Sequence, residues 1–467
     1  MRILAVVLAA LTATPALAQP APARPTDAAG LGQEAVALLR EYLHIDTTNP
    51  PGNEERAVAF LGRILKAEGI PYETAASAPG RGNIWARLKG GSAPALVLLH
   101  HMDVVPADRR HWDVDPFAAT ERDGVLFGRG ALDTKTLGIL QLEAFLALHR
   151  LGLPLERDVI FMATADEEAG GSFGAGWVVA NHPEAFKGAG LLLNEGGGGT
   201  LTDGRARFGI EVTQKTPLWL RLTATDEPSH GSTPHVASSV TRLVRALYRL
   251  QTYHFQPRIV PAVDAYFKAL APAAAPRWRG AFEDIGAAVK NPVTLLSLQS
   301  EDPGLAALTR NTCSITRLEG SGKINVVPAE AHAELDCRLL PDQDQAAFLA
   351  ELGGVLNDPA IQVDTIMRFT PAVTSTETPL YRAIVEALRR HFPDATIAPA
   401  VETGFTDSHF FRDLGIACYG FAPVLIPSDQ ESGVHGNNER ISIENVTRGT
   451  AVMLEIVREV AAGQGAR

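Results

Sequence analysis

The sequence predicts an α/β protein whose main layer is interrupted by a smaller α+β insertion, and three observations carry that reading. Short apolar runs alternate with helix-period stretches from Leu31 to about Arg207. The texture then changes to a strand, helix, strand, strand, helix, strand order between about Gly209 and Thr370. After Pro371 the first alternation returns, so the smaller part, residues 209–370, reads as inserted between two pieces of the larger one, residues 31–208 and 371–467.

The first twenty residues, MRILAVVLAALTATPALAQP, combine an early Arg2, an apolar stretch from Ile3 to about Ala13 and a small-residue end at Ala16-Leu17-Ala18. That pattern is a secretory signal peptide over residues 1–18, so the chain is expected to be exported, periplasmic or secreted; the Pro/Ala-rich residues 19–30 are expected to form a disordered leader. Helical spacing runs through LGQEAVALLREYL and EERAVAFLGRILKAEG, the second closed by Gly69. Runs at 83–88, 95–99, 159–163 and 191–193 read as buried strands, with 136–149 as a crossover helix. In the insertion, LWLRLTAT, CSITRLEG, AHAELDCRLL and IQVDTIMRF read as strands, and VASSVTRLVRALYRL and QAAFLAELGGVL as helices. The segment 260–292, with its Ala-Pro run, reads either as helical elaboration of the insertion or as a partly ordered flap. A helix over 380–391 and a strand over 416–421 follow.

A net charge of −11 and the lack of any Lys/Arg-rich run argue against nucleic acid and membrane surfaces as partners. The three cysteines, Cys313, Cys337 and Cys418, have no CxxC spacing, which argues against a disulfide scaffold and a thiolate zinc site; a metal would have to sit on His and carboxylates. Cys313 and Cys337 could pair in an oxidising compartment if their strands are neighbours, but three separate buried thiols are the plainer reading.

The chemistry is concentrated at strand ends. ALVLLH runs into His101-Met102-Asp103, VIFMATA into Asp166-Glu167-Glu168, and LLLN into Glu195-Gly196-Gly197, while GRGALDTK sets Asp133 in a Gly-rich turn before a helix. Singly, each has an ordinary explanation: a solvated loop for the paired glutamates, a helix N-cap for Asp133, a turn residue for Glu195. Together they place several carboxylates at the carboxyl edge of one sheet, where open α/β sheets form their ligand crevice. Burying that many negative groups without a cation is costly, and a divalent metal site resolves the conflict. His and carboxylate donors suit zinc, with cobalt or manganese as substitutes, and the number of candidate ligands favours two ions clamping one water.

The ordered motifs HMDVVP, GRGALDTK, DEEAGG, NEGG and GVHGNNER resemble the zinc-dependent exopeptidases that include glutamate carboxypeptidase, aminoacylase, carnosinase-like dipeptidases and succinyl-diaminopimelate desuccinylase. The similarity spans the chain from about Leu31 to its end. It implies a mixed-sheet catalytic domain with an inserted lid or dimerisation domain, and hence a homodimer formed through the lid. It also implies His101, Glu195 and Asp133 as ligands of one zinc, Glu168, His435 and the shared Asp133 as ligands of the other, and Glu167 as general base. Asp103 corresponds to the acidic partner that orients the ligand imidazole, and the family often has a cis peptide after the bridging aspartate, here Asp133-Thr134. His230 in SHGSTPH, Asn325 in KINVVP, Arg338 in LDCRLLP and Gly404 in TGFTDS match substrate-gripping positions, though for Arg338 a strand-end ion pair with Asp336 or Asp342 is an open alternative. Phe405 departs from the family's small residue before the late Ser/Asp, and the lid is lengthened near 253–311. His100 should face the other side of its strand and serve packing or a hydrogen bond.

The expected function is hydrolysis of the amide bond of a short peptide with a free carboxyl end or of an N-acyl amino acid. The competing reading is a catalytically inactive, metal-dependent peptide-binding protein, and the presence of Glu167 beside a complete ligand set favours catalysis.

Overall fold

The computed structural model describes residues 24–428 and 433–462. The signal peptide and the first part of the leader lie outside the described residues. The remainder of the expected leader is not irregular: Asp27 caps a helix over Ala28–Leu43 by accepting from the Gly30 amide, a local signal that its Pro/Ala-rich surroundings obscured.

The large sheet has ten strands, and the predicted runs form its centre. Ala93–His101 lies parallel to both Arg157–Thr164 and Ala189–Asn194, and Ala417–Gly420 continues the parallel set, while Gly82–Leu88 joins antiparallel, making the sheet mixed. Strand periodicity decides the packing. Leu96 and Leu98 enter one core with Phe145, Phe161 and Met453, whereas Val97 and Leu99 enter the core on the opposite face with Ile160, Met162 and Phe411. With both faces buried, polar ligands can reach solvent only at the strand ends. His100 follows the Leu96 and Leu98 side, buried 5.5 Å from the Phe161 ring and with Nε2 3.5 Å from the Tyr42 hydroxyl, in keeping with a packing or hydrogen-bonding place away from the ligands.

A second, four-stranded antiparallel sheet runs in the order Thr312–Glu319, Glu330–Leu339, Thr216–Thr225, Ile361–Arg368. Helices Ser239–Thr252 and Gln345–Leu356 cover one face with a core of its own, built on Leu220, Leu222, Leu335, Phe348 and Leu352. Cys313 and Cys337 stand opposite each other in this sheet and form a disulfide, which corrects the plainer reading of separate thiols; Cys418 stays a buried thiol. In the oxidised protein, replacing both with serine is expected to lower stability by about 3 kcal/mol through lost loop closure, read as a lower midpoint in denaturant melts.

One expected boundary shifts. Residue 209 lies inside the strand Arg205–Gln214, which belongs to the large sheet, so the second sheet begins with the strand at Thr216. The Pro/Ala-rich segment takes the helical one of its two expected forms, with a core separate from that of the second sheet. It forms helices at Pro261–Leu270, Pro276–Glu283, Ile285–Ala288, Pro292–Glu301 and Pro303–Ala307, four of which begin with the proline that made the segment look irregular. Their core of Val263, Phe267, Phe282 and Leu298 includes Val401 from the large-sheet strand Thr396–Glu402.

Candidate metal centre and active site

The parallel strands end together, and the groups they deliver converge. His101 Nε2 lies 3.0 Å from Asp133 Oδ1 and 3.4 Å from Glu195 Oε2. The other oxygen of the same carboxylate, Asp133 Oδ2, is 2.9 Å from His435 Nε2, which is in turn 3.1 Å from Glu168 Oε2. The five expected ligands therefore form two half-sites, His101 with Glu195 and His435 with Glu168, sharing Asp133. Glu167 sits beside them, with a carboxylate oxygen within 4.8 Å of donor atoms of both His101 and Glu195.

The electrostatics show what the cluster lacks. Among the described residues, no Lys or Arg pairs with Asp133, Glu167, Glu168 or Glu195; positive charge reaches them only from the two imidazoles. Burial pushes Glu195 up to about 7 and, with the Glu195 charge added, lifts Glu167 well above the usual carboxylate range. His435 is pushed up to about 10 by its bonds to Asp133 and Glu168, and His101 is raised despite burial by Glu195, Asp103 and Asp133. The donor set suits cations: nitrogen and carboxylate atoms aimed at one another, with no Lys or Arg counter-charge among the described residues.

An outer layer holds this arrangement. Asp103, fully buried, accepts from the amides of Glu167 (3.1 Å) and Glu168 (3.2 Å) and from Asn49 Nδ2 (2.8 Å). Its main-chain oxygen, 3.0 Å from His101 Nδ1, lies closer to the ring than its carboxylate at 3.5 Å. The expectation for Asp103 is thereby refined: its carbonyl orients the imidazole, and its carboxylate chiefly fixes the turn that carries Glu167 and Glu168. Asp166, at φ +70°, is held in that turn by Arg81, Asn49 and the Phe173 amide. Glu439 accepts from the amides of Gly130, Leu132 and Asp133 and from Arg129, and so fixes the Asp133 turn; the Asp133-Thr134 peptide is cis. Asp407 accepts from the Thr164 hydroxyl at 3.0 Å and is pushed up to about 8 by burial near the cluster. Of these, sequence reasoning had assigned a role only to Asp103.

The lid residues are not gathered into the cluster. His230 and Asn325 stand exposed at a two-strand ribbon, where His230 Nδ1 meets the Ser232 hydroxyl at 2.7 Å and the Asn325 carbonyl accepts from Gly231. Arg338 does pair with Asp336, through Nε at 2.7 Å and Nη2 at 3.1 Å, while Nη1 is buried without a partner and the guanidinium lies 5.4 Å from the Phe405 ring. Gly404 donates to Glu402 Oε1 at 3.0 Å in the turn that presents Phe405. Phe405 in turn meets the rings of Phe369 and Trp219, so the departure from a small residue builds an aromatic wall.

The family model described as Peptidase family M20/M25/M40 matches residues 97–459, a span that holds every ligand and outer partner named above except Asn49 and Arg81. The chain belongs to this family. It is a hydrolytic enzyme of a metal-dependent group. Among M20 relatives it is 28% identical to aminoacylase-1B of Rattus norvegicus over 436 residues, covering 91% of this chain and 95% of that protein. It is 30% identical to the N-fatty-acyl-amino acid synthase/hydrolase PM20D1.1 of Danio rerio, covering 75% of this chain and 69% of that protein. The M20 metallo-carboxypeptidase Sso-CP2 of Sulfolobus solfataricus shares the fold, with a TM-score of 0.68 at 22% identity over 91% of this chain and 98% of that one.

Proposed function

We propose that the protein is an exported dizinc enzyme that hydrolyses the amide bond of N-acyl amino acids, as an aminoacylase, or of short peptides with a free carboxyl end, as a carboxypeptidase or dipeptidase. One observation carries the metal assignment: the two oxygens of Asp133 face different imidazoles, each with its own glutamate. His101, Asp133 and Glu195 would hold one ion and His435, Asp133 and Glu168 the other, with zinc favoured by the donor types and cobalt or manganese as substitutes. Bound divalent ions supply Lewis-acid polarisation and acidify water at neutral pH. The chain's own contribution is proton movement at Glu167, whose carboxylate takes a proton from the attacking water and returns it to the departing amine nitrogen. Asp103 keeps that carboxylate in place through the Glu167 amide. The acylase and acyl-amino-acid hydrolase relatives support deacylation; the structural likeness leaves peptide cleavage level with it.

Lid closure would bring Arg338, Asn325 and His230 to the substrate, and the exposed Ile324, Val236 and Tyr248 on the lid suit a homodimer formed there. Export remains part of the proposal, supported by the leader sequence and by the disulfide.

The test combines metal analysis with a panel of dipeptides and N-acetyl amino acids, with and without chelator. About two ions per chain and chelator-sensitive cleavage are expected; a folded, metal-free protein whose activity ignores chelation would overturn the reading. A second result is expected at Arg338. Arg338→Ala should raise KM for substrates with a free carboxylate by about ten- to a hundredfold more than for the matching carboxamides, because a guanidinium offers two parallel donors to an acid. Equal losses on both would assign Arg338 to its Asp336 pair alone.

A further inference from the structure

The second sheet joins the large one through two crossings, one at Lys215, between the strands Arg205–Gln214 and Thr216–Thr225, and one after the strand Ile361–Arg368. The crossings are bonded to each other, the Phe369 amide donating to the Pro217 carbonyl at 3.2 Å. Both also bear on one short piece of the catalytic layer, residues 405–412. Gln214 Oε1 accepts from the Thr406 amide at 3.1 Å, and the Phe369 ring stacks on the His409 imidazole, with centroids 3.3 Å apart and planes 12° from parallel. Phe410 packs on the same imidazole at 3.7 Å. His409 is buried, and neither ring nitrogen has a hydrogen-bond partner among the described residues. Burial, aided by the Arg412 charge, pushes it down to about 3, so the ring is neutral. Such an imidazole forgoes the charge and hydrogen bonds that histidine ordinarily offers. What it keeps is a flat ring held against other flat rings.

The same piece touches the strand ends that deliver the metal-centre residues. Ser408 Oγ accepts from Asn194 Nδ2 at 3.1 Å, directly before Glu195, and Asp407 accepts from Thr164, just ahead of the turn that starts at Asp166. That turn carries Glu167 and Glu168, and it closes through the Gly170 amide on the Glu167 carbonyl at 2.8 Å and the Gly171 amide on the Asp166 carbonyl at 2.7 Å. Gly170 and Gly171 have φ of +101° and +70°, and their lack of side chains lets neighbours approach closely. A Cβ at Gly171 would stand 2.5 Å from Asp407 Oδ1 and 2.7 Å from the Phe410 ring, and one at Gly170 would stand 3.7 Å from Met367 Sδ. The residues that flank His409 therefore press directly on the turn of the general base. Met367, on the lid strand just before Phe369, reaches the same turn.

We propose that His409 is a positioning residue that ties the root of the lid to the general base: Phe369 bears on the His409 ring, and the segment 405–412 that carries His409 holds the turn on which Glu167 stands. The proposal rests on the reading of Glu167 as the base and deepens it. Interiors are packed too closely for one of these rings to move without the others following. A lid that shifts on binding substrate thus moves the Glu167 turn through side-chain contacts alone, and His409 itself needs no ligand.

The experiment uses the full chain with metal bound and whichever dipeptide or N-acetyl amino acid of the panel is cleaved fastest. kcat and KM are measured for His409→Ala, Phe369→Ala and the two together, and again with each placed on Glu167→Gln; metal content and thermal melting on the same preparations show that each variant is folded and loaded. His409→Ala should lower kcat by at least about tenfold with KM within about threefold, because misplacing a reacting group by about 1 Å can cost a hundredfold in rate. His409→Phe, which restores a flat ring, should recover most of that loss. Phe369→Ala, made on the lid side, should match His409→Ala and carries the test alone if His409→Ala does not fold. The double variant should fall no lower than either single one, since the two residues form one contact. On Glu167→Gln, where the base is already gone, His409→Ala should cost less than about a further twofold. Unchanged kcat in the folded variants, or independent losses that add in the double variant, overturns the proposal. A full further loss on Glu167→Gln also overturns it, making His409 a support of the fold or of the metals while the base reading stands. Near-normal turnover in Glu167→Gln alone removes the base reading and the proposal with it, a failure recognised before His409 is changed.

Discussion

Glu167→Gln is expected to lower kcat by about a hundred- to ten-thousandfold while metal content stays near that of the unaltered protein. The glutamine is nearly isosteric and cannot accept a proton, so the substitution removes proton transfer from a site whose ligands remain. Among the described residues Glu167 makes no side-chain hydrogen bond to the outer layer; its own amide donates to Asp103, and that bond survives the change. The prediction also separates two roles that proximity leaves mixed, because Glu167 lies close enough to His101 and Glu195 to serve as a ligand. Steady-state kinetics and metal analysis on the same preparation decide between them. Near-normal turnover would withdraw the base assignment, and a loss of one ion would make Glu167 a ligand.

The parts of this site that were legible in the sequence are those marked by local pattern. His101, Glu168 and Glu195 each follow an apolar run that could only be a buried strand, so their convergence at one sheet edge follows from the strand positions and the crevice rule. The outer layer carries no such mark. Arg129 and Glu439 are 310 residues apart, and Asn49 reaches Asp103 and Asp166 from a loop with no chemical motif of its own. Such pairs become visible only when the chain is folded, although Glu439 already stood in the motif that contains His435. Proline blurred the fold reading in two places. In the segment 261–307 it begins helices, and in Thr396–Glu402, where Pro399 sits mid-strand, it hid a strand that among the described residues pairs on one side, with Arg205–Gln214, and so can do without one amide bond. The disulfide turned on register: Cys313 and Cys337 could pair only if their strands were neighbours, and in the fold they face each other directly.

Asp133→Ala is expected to have the widest consequence of any single change, loss of both ions together with activity reduced to background. Each other ligand serves one half-site; Asp133 alone spans both, with Oδ1 on the His101 side and Oδ2 on the His435 side. Removing it leaves His101 with Glu195 and His435 with Glu168, two donors apiece, short of the three protein ligands that catalytic zinc sites hold. The variant should nonetheless fold. The Asp133 amide, which donates to Glu439 at 3.0 Å, is retained, so the turn keeps its anchor, and relief of crowding among buried carboxylates offsets part of the lost imidazole bonds. A useful comparison is Asp103→Asn, which leaves every proposed ligand in place and disturbs only their support; outer-layer changes of that kind typically cost about ten- to a hundredfold in affinity or activity. Metal content after dialysis, thermal melting and turnover, measured side by side, check the order Asp133→Ala far below Asp103→Asn. If Asp133→Ala kept both ions, the shared-carboxylate assignment would be wrong, and Glu167, within ligand reach of His101 and Glu195, would become the candidate third ligand of that half-site.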